Sequence, residues 1–412
     1  MYEKLNQMAE DIRDDVIGFA QKLVQTPSIS GAEEELAQLT VKKMEELGYD
    51  EIFVDDMGNV VGIVKGEGSG PNVMYNSHMD HVAPGEEANW EFPPYGGVIA
   101  DGYLHGRAAS DVKSGMASQI FAGHLIKKSG VKLKGDFIYT GVVQEEPAEM
   151  FGMRWLMDKT FKERGITFDV MISSEATSMN LYLGHRGRAE LEVTTFGRTS
   201  HGSAPWLGVN AVYKMMPVIE EVRKIYETLP EDDFLGRATI ALTIINCSPG
   251  ALSIIPDKCT VSLDRRLVRG EKREDFVGQI QKILDDLAAK DEEFKGEVKI
   301  RTVKETSYKG ISEDCEKYMH SWAIEKDDPM VVKCVEALNA LGQNPGFGRW
   351  DFGTDASYVT GVMGIPSIGY SPMEEHYAHT PKDRCSIENI VKATAGNAAI
   401  AYAVAGQGSR DE

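Results

Sequence analysis

Short apolar segments that each run into a histidine or a carboxylate constrain this chain more than any other feature. Three such segments are followed by loops with charged groups: His78 and Asp80 after Val73–Tyr75, Glu145 and Glu146 after Asp136–Val143, and Glu175 after Asp169–Ser173. Helices are predicted between the strands, for example over Lys113–Lys128. Strands that alternate with helices predict an α/β fold with a mainly parallel sheet flanked by helices. Because functional groups collect at the carboxyl ends of such strands, we expect these side chains to meet.

The middle of the chain has a different order of predicted elements. Strand, helix, strand, strand, helix and strand follow one another: Ala189–Phe196, Gly208–Leu229, Ala238–Asn246, Lys258–Val268, Glu271–Ala289 and Glu297–Val303. This βαββαβ order is typical of a ferredoxin-like α+β sandwich. We therefore expect residues 187–304 to form an inserted domain, and residues 1–186 and 305–412 to form one discontinuous domain that contains the histidine and carboxylates listed above. A length of 412 residues is sufficient for both cores.

The composition argues against several classes of protein. Lys and Arg number 44 against 64 Asp and Glu, a net charge of −20, whereas nucleic-acid binding needs clustered cations. No apolar run reaches membrane-spanning length, and the acidic N-terminal segment lacks the apolar centre of a signal peptide. The five cysteines are odd in number and form no CxxC pair, which disfavours a disulfide framework and a thiolate zinc site. We expect a cytoplasmic protein that binds neither nucleic acid nor membrane.

His78 and Asp80 are the first candidates for a metal centre. A carboxylate two residues after a histidine can accept its second ring N–H and fix the metal-binding tautomer. Asp111 precedes the predicted helix Lys113–Lys128, where it also suits a helix N-cap, and the two roles can coexist. A polar turn without a ligand is the alternative for the first pair.

Glu145 and Glu146 are adjacent carboxylates at the end of a predicted buried strand. Two such groups repel each other unless a cation is near. A metal ion would relieve this repulsion for one, and the other could accept the proton of a metal-bound water. An exposed acidic turn is the alternative for this pair, and also for Glu175.

Together these residues suit a pair of divalent ions that share one carboxylate and hold a water between them. A second histidine ligand is needed, and spacing alone does not decide between His376 and His379. For the other histidines, packing or solvation is the simpler interpretation; they include His81, His105, His124, His185 and His320.

The order of these motifs resembles the ArgE/DapE/aminoacylase/carboxypeptidase G family of co-catalytic zinc hydrolases, and within it the YgeY-like branch. The matching segments, in family order over nearly the whole chain, are Ser77–Asp80, Gly106–Gly115, Gln144–Glu146, Ser200–Pro205, Ser262–Leu267, Gly353–Ala356 and His379–Pro381.

The resemblance implies a role for each of these positions. The metal ligands would be His78, Asp111, Glu146, Glu175 and His379, with Asp111 as the bridge. Asp80 would orient His78, and Glu145 would be the general base. The substrate-binding residues would be His201, Asn246, Arg266, Gly353 and Thr354, with His201 reaching the active site of the partner subunit in a homodimer.

The function expected from this resemblance is hydrolysis of the amide bond of a small N-acyl or N-carbamoyl amino acid, or of a dipeptide. The substrate would carry a carboxylate, and the cofactors would be two divalent ions, zinc before cobalt or manganese. A non-catalytic binding protein on the same scaffold is one alternative, although a complete ligand set with Glu145 opposes it. An unrelated metallohydrolase is another, because Ser77–His81 faintly matches an HxHxDH motif, but Asn76 stands where its first histidine would be.

Overall fold

The computed structural model describes residues 1–147 and 150–406. In this part of the chain, nine strands form one mixed sheet. Its centre is parallel, as predicted, whereas antiparallel strands lie at both edges. From one edge to the other, the strands are Glu51–Val54, Val60–Val64, Phe137–Val142, Val73–His78, Val170–Ser173, Ser367–Gly369, Leu181–His185 and Trp322–Ala323, with Phe347–Trp350 also paired to Leu181–His185.

Both faces of this sheet are covered, because side chains alternate along each central strand. In Val73–His78, Val73 and Tyr75 pack into a core with the long helices, whereas Met74 packs into a second core on the opposite face. Within the described ranges, none of the helices is both long and apolar enough to cross a membrane. The α-helices of this part are Tyr2–Asp11, Arg13–Gln25, Glu34–Leu47, Ser114–Ser129, Phe151–Trp155, Lys162–Arg164, Pro329–Ala340, Ala356–Val359 and Ile387–Ala405.

A second, antiparallel sheet has its own hydrophobic core. Among the described residues it has four main strands, in the order Thr239–Ser248, Lys258–Leu267, Gly187–Phe196 and Lys295–Ile300, and the short strand Tyr318–Met319 pairs with Gly187–Phe196. The helices Ala211–Thr228 and Arg273–Ala288 pack on it. This order is that of the predicted βαββαβ sandwich and confirms the fold class. The exact domain limits at residues 187 and 304 stay a prediction.

Short hairpins and one small sheet complete the described structure. The small sheet joins Val98–Ala100, Tyr103–His105 and Arg384–Ser386; the hairpins pair Glu231–Asp232 with Gly236–Arg237 and Thr302–Thr306 with Ser312–Glu316.

Several element limits differ from the sequence prediction. The strand predicted over Val73–Tyr75 continues to His78, so His78 is its last residue and not part of the following loop. The helix Tyr2–Asp11 and the strand Leu181–His185 were not predicted. The short segment around Leu181 lacks the length and flanking turn residues that single out a strand in sequence.

Candidate metal centre

Three parallel neighbouring strands deliver most of the candidate groups to one edge of the larger sheet. His78 ends the strand Val73–His78, while Glu145 and Glu146 follow Phe137–Val142. Glu175 follows Val170–Ser173 on the other side of the first strand. The carboxyl ends of these strands lie side by side, so the side chains meet as the sequence predicts.

His78 is buried and its ring is held from one side. Its Nδ1 lies 3.0 Å from the backbone oxygen of Asp80, so Nδ1–H donates to that carbonyl. The other ring nitrogen, Nε2, points the opposite way, towards Oδ1 of Asp111. The sequence interpretation had the Asp80 carboxylate in this role, but its nearest oxygen is 3.6 Å from Nδ1, beyond hydrogen-bond length.

Asp111 lies between the two candidate histidine ligands. Its Oδ1 is 3.0 Å from Nε2 of His78, and its Oδ2 is 3.0 Å from Nε2 of His379. Each oxygen of one carboxylate thus faces a different imidazole, which is the arrangement a bridging ligand requires. The position of His379 in this pair distinguishes it from His376, which is exposed beside Glu374.

The remaining carboxylates flank this central group. Glu146 Oε2 lies 3.1 Å from Nε2 of His379, and Glu175 Oε1 lies 3.6 Å from Nε2 of His78. Ligand atoms of His78, Asp111 and Glu146 lie within 4.8 Å of one another, as do those of His78, Glu145 and Glu175. All five predicted metal ligands and Glu145 are therefore brought together.

Asp80 is buried and organises the loop that carries Glu145 and Glu146. Its carboxylate accepts the backbone N–H of Glu145 and that of Glu146, each at 3.1 Å. The Ser30 hydroxyl donates to it at 2.7 Å. Asp80 thus fixes the backbone of the proposed general base, a contact that the sequence interpretation did not include.

The electrostatics of the cluster fit a site for cations. Burial, reinforced by neighbouring carboxylates, raises the pKa of Glu145 and of Glu175 well above the usual carboxyl range. Burial would also raise the pKa of Asp111, but hydrogen bonds with His379 and His78 hold it well below its usual value. In the described part of the chain, the ion pairs of these acids are with His78 and His379 alone. Carboxylates crowded with two imidazoles are a donor set that suits divalent ions such as Zn²⁺.

A cavity of about 450 Å³ opens onto the cluster. Among the proposed substrate-binding residues, Arg266 and Gly353 line it. Its wall is formed by Asp111, Glu145, Glu146, Glu175, Arg188, Arg266, Met319, Phe352, Gly353, Glu375, Ala378 and His379.

Arg188 is the main cavity residue that the sequence interpretation missed. It lies directly opposite Arg266 in the antiparallel pair of strands, and it shares Asp264 with Arg266, whose Nε donates to that carboxylate at 2.7 Å. The alternation of polar residues in Gly187–Phe196 indicates that Arg188 lies on the polar face of its strand. The register that places it opposite Arg266 cannot be inferred from local sequence. Arg265 faces away from the cavity and pairs with Glu271.

Three predicted substrate-binding residues do not line this cavity. His201 and Asn246 are exposed, and Nδ1 of His201 accepts the Ser203 backbone N–H at 3.1 Å. The side chain of Thr354 is fully buried. The backbone N–H of Thr354 donates to Nε2 of His185 at 3.1 Å. This hydrogen bond fixes the backbone next to Gly353.

Comparisons with known proteins agree with this architecture. Residues 183–292 match the family model described as a peptidase dimerisation domain. The uncharacterized protein YgeY of Escherichia coli K12 is 33% identical over 401 residues, which cover 97% of this chain and 96% of that protein.

Two solved structures share the fold at low identity. Aminopeptidase PepT from Bacillus cereus is 22% identical, with a TM-score of 0.73 over 95% of this chain and 99% of that one. The Bacillus subtilis YXEP protein, a dinuclear metal binding peptidase from the M20 family, is 17% identical, with a TM-score of 0.72 over 96% and 99% of the two chains. Together with the full-length similarity to YgeY, these matches establish that the chain belongs to the M20 metallopeptidase family, the ArgE/DapE/aminoacylase/carboxypeptidase G group, in its YgeY-like branch.

Proposed function

We propose that this chain is a hydrolase that uses two divalent metal ions to cleave the amide bond of a small N-acyl or N-carbamoyl amino acid or of a dipeptide. The observation that carries the proposal is the position of Asp111. Its Oδ1 lies 3.0 Å from the imidazole of His78, and its Oδ2 lies 3.0 Å from that of His379. Zinc is our first choice of metal, with cobalt and manganese as alternatives. The dinuclear metal binding named for the Bacillus subtilis protein supports two ions.

Each ion would have its own ligands besides the shared Asp111. His78 and Glu175 would complete one site, and Glu146 and His379 the other. The Nδ1–H of His78 donates to the backbone oxygen of Asp80, which leaves Nε2 free to bind metal, as a neutral imidazole ligand requires.

Glu145 would move the proton of the reaction. When bound, the ions would polarise the scissile carbonyl and make a water molecule more acidic. Glu145 lies beside the ligand cluster without having a place in either proposed ligand set. It would take a proton from the attacking water and deliver it to the leaving nitrogen, the usual task of a general acid–base group.

Arg266 would bind the carboxylate of the substrate. It lines the cavity from the inserted sheet, and one side of its guanidinium is held by Asp264. A guanidinium binds a carboxylate in a planar, two-point geometry, which would fix the neighbouring amide relative to Glu145. Gly353 would present its backbone to the substrate. A larger residue does not fit there, because a Cβ would lie 2.5 Å from the sulfur of Met319.

The assembly proposed is a homodimer formed through the inserted sheet. Thr239–Ser248 is an edge strand of that sheet, and its residues from Ala241 onwards are exposed. Exposed apolar edges are places where a partner adds. The large exposed apolar side chains of this region are Trp206, Leu207, Tyr213, Met216, Leu242, Ile244, Ile245, Leu252 and Ile254.

In this dimer, His201 and Asn246 would act in the partner's site. Both lie outside the cavity of their own chain, on or near the exposed edge. An imidazole can donate to an oxyanion that develops in the reaction. We keep the cytoplasm as the proposed compartment, supported by five cysteines that are all free.

The experiment that tests the proposal combines metal content with turnover. The purified chain, loaded with zinc, cobalt or manganese, is assayed on N-acetyl amino acids, N-carbamoyl amino acids and dipeptides. We expect hydrolysis of at least one class, and loss of it in Glu145→Gln. Metal binding without turnover of any class would favour a non-catalytic binding protein on this scaffold.

A further inference from the structure

The loop Thr26–Glu33, which we call the brace, connects the loops that carry the candidate ligands. It lies between the helices Arg13–Gln25 and Glu34–Leu47. Hydrogen bonds join the brace to these loops. Lys113 Nζ donates to the Thr26 carbonyl at 2.7 Å, the Ser28 hydroxyl to the Met79 carbonyl at 2.7 Å, and the Ser30 hydroxyl to Asp80 at 2.7 Å. The backbone N–H of Ser28 donates to Nε2 of His81 at 2.9 Å, and that of Gln144 to Glu33 at 3.3 Å.

Glu33 is the least expected member of the brace. Its side chain is completely buried, and its Oε1 accepts the N–H of Gln144 while Oε2 has no hydrogen-bond partner among the described residues. Burial, followed by the charge of Asp80, raises the pKa of Glu33 to about 8. A buried carboxyl with an unpaired oxygen lowers stability, so packing alone does not explain a glutamate here.

The group that Glu33 holds is the peptide leading into Glu145. Gln144 has a φ of 60°, in the left-handed region that residues other than glycine rarely adopt. Such a conformation persists when its surroundings fix it from several sides. Here the N–H of Gln144 is bound by Glu33, its side-chain amide donates to the Thr306 carbonyl at 3.1 Å, and the next N–H, that of Glu145, is bound by Asp80.

We propose that Glu33 is a positioning residue for Glu145, acting through its hydrogen bond with the backbone of Gln144. This inference rests on the proposed function, in which Glu145 transfers the proton. Glu33 touches neither the cavity nor the ligand side chains, so its effect would be on the rate of the chemical step. Substrate binding and metal content would be nearly unaffected.

The test compares three substitutions at Glu33. Glu33→Gln keeps an acceptor oxygen at the same distance, so we expect kcat within about twofold of wild type. Glu33→Ala removes the acceptor and Glu33→Asp withdraws it. For both we expect kcat to fall about 10- to 100-fold, the scale of a small misplacement of a catalytic group, with KM and metal stoichiometry unchanged. Glu35→Ala is the matched control, because Glu35 is exposed two residues further along.

A second measurement does not depend on turnover. Amide hydrogen exchange should quicken for the peptide containing Gln144 and Glu145 in Glu33→Ala and Glu33→Asp, but not in Glu33→Gln. Wild-type kcat and exchange in Glu33→Ala, or equal impairment of Glu33→Ala and Glu33→Gln, would overturn the inference. If Glu33→Ala does not fold, Glu33→Asp decides. A folded wild type without turnover would overturn the proposed function alone, and the exchange comparison would still decide the role of Glu33.

Discussion

The carboxylate of Asp80 accepts the backbone N–H of Glu145 at 3.1 Å, although the two residues are 65 positions apart in the sequence. The same aspartate supplies the backbone carbonyl that binds Nδ1 of His78. One residue therefore orients His78 with its main chain, and the backbone of Glu145 and of Glu146 with its side chain. Substitutions of the side chain separate these two effects.

Asp80→Ala should impair catalysis more than it impairs metal binding. The backbone carbonyl remains to orient His78, whereas the loop of Glu145 loses its acceptor. A small misplacement of a catalytic group can cost about 100-fold, and we expect kcat to fall by about 10- to 100-fold. Steady-state kinetics with metal analysis on the same samples checks this. Asp14→Ala, at an exposed position, serves as the control; a greater loss of metal than of kcat would contradict the expectation.

Glu145→Gln should nearly abolish turnover while metal content stays close to that of wild type. Glutamine has the same shape but cannot accept the proton of the attacking water, and general acid–base groups typically contribute about 10²–10⁴-fold. Glu146→Gln should instead weaken metal binding, because Glu146 lies 3.1 Å from His379 within the ligand cluster. Turnover and elemental analysis of both variants check the pair, and the reverse pattern would exchange their roles.

The sequence predicts that three of the candidate groups meet, because they lie at the ends of strands whose direction can be inferred from local pattern. His78, Glu145 and Glu175 lie at or just after the carboxyl ends of three neighbouring parallel strands, so their convergence needs no knowledge of side-chain packing. The family resemblance then distinguishes His379 from His376, which local spacing could not do. The candidate roles of these residues stay predictions that the variants above address.

Other features depend on contacts between distant segments, and no local pattern encodes them. Arg188 reaches the cavity because the antiparallel register places it opposite Arg266, and a shift of one residue would turn it to the other face. Glu33 and Gln144 are 111 positions apart. Thr354 was expected to contact substrate, but its side chain is buried and its backbone N–H is bound by His185.

Removal of metal should destabilise the fold. Glu145 and Glu175 are buried among other carboxylates, so the ligand cluster lacks compensating charge except from two histidines. A ligand that binds only the folded state stabilises it by about 2.7 kcal/mol at 100 times its Kd. We expect two ions per chain by elemental analysis and a rise in Tm as zinc is restored to chelated protein. A stoichiometry that never exceeds one ion would remove the bridging role of Asp111.

Mixed dimers should recover activity from two inactive chains. His201→Ala and Glu145→Gln each inactivate both sites of their own homodimer if His201 acts in the partner's site. A heterodimer of the two has one site with both wild-type groups, so a mixture should regain about a quarter of wild-type turnover when subunits exchange freely. Exchange is followed with tagged chains. A mixture that exchanges subunits without regaining activity would place His201 outside the neighbouring site.

Wild-type enzyme should prefer substrates with a free carboxylate over their amides, and Arg266→Ala should lose most of this preference through a rise in KM. The reason is the position of Arg266 in the cavity wall, where Asp264 holds its Nε at 2.7 Å and so orients the guanidinium. Kinetics on matched acids and amides measure the effect.

The control for this prediction is a substitution of an arginine outside the cavity. Arg265→Ala is not suitable because that side chain is buried in an ion pair with Glu271. Arg198→Ala is better, since Arg198 is exposed and its pair with Glu293 lies on the surface, where such pairs contribute little.

Arg188 allows the same experiment to distinguish charge from geometry. It lies opposite Arg266 and shares Asp264 with it, so Arg188→Ala leaves one guanidinium in the cavity wall but removes half of the local positive charge. If the substrate carboxylate is bound by two-point contact with Arg266, Arg188→Ala should retain the preference for acids and Arg266→Lys should lose much of it, because lysine cannot form that contact. Equal loss in Arg188→Ala and Arg266→Ala would mean that the summed charge attracts the substrate. Equal use of acid and amide by the wild type would exclude a carboxylate-binding role for either arginine.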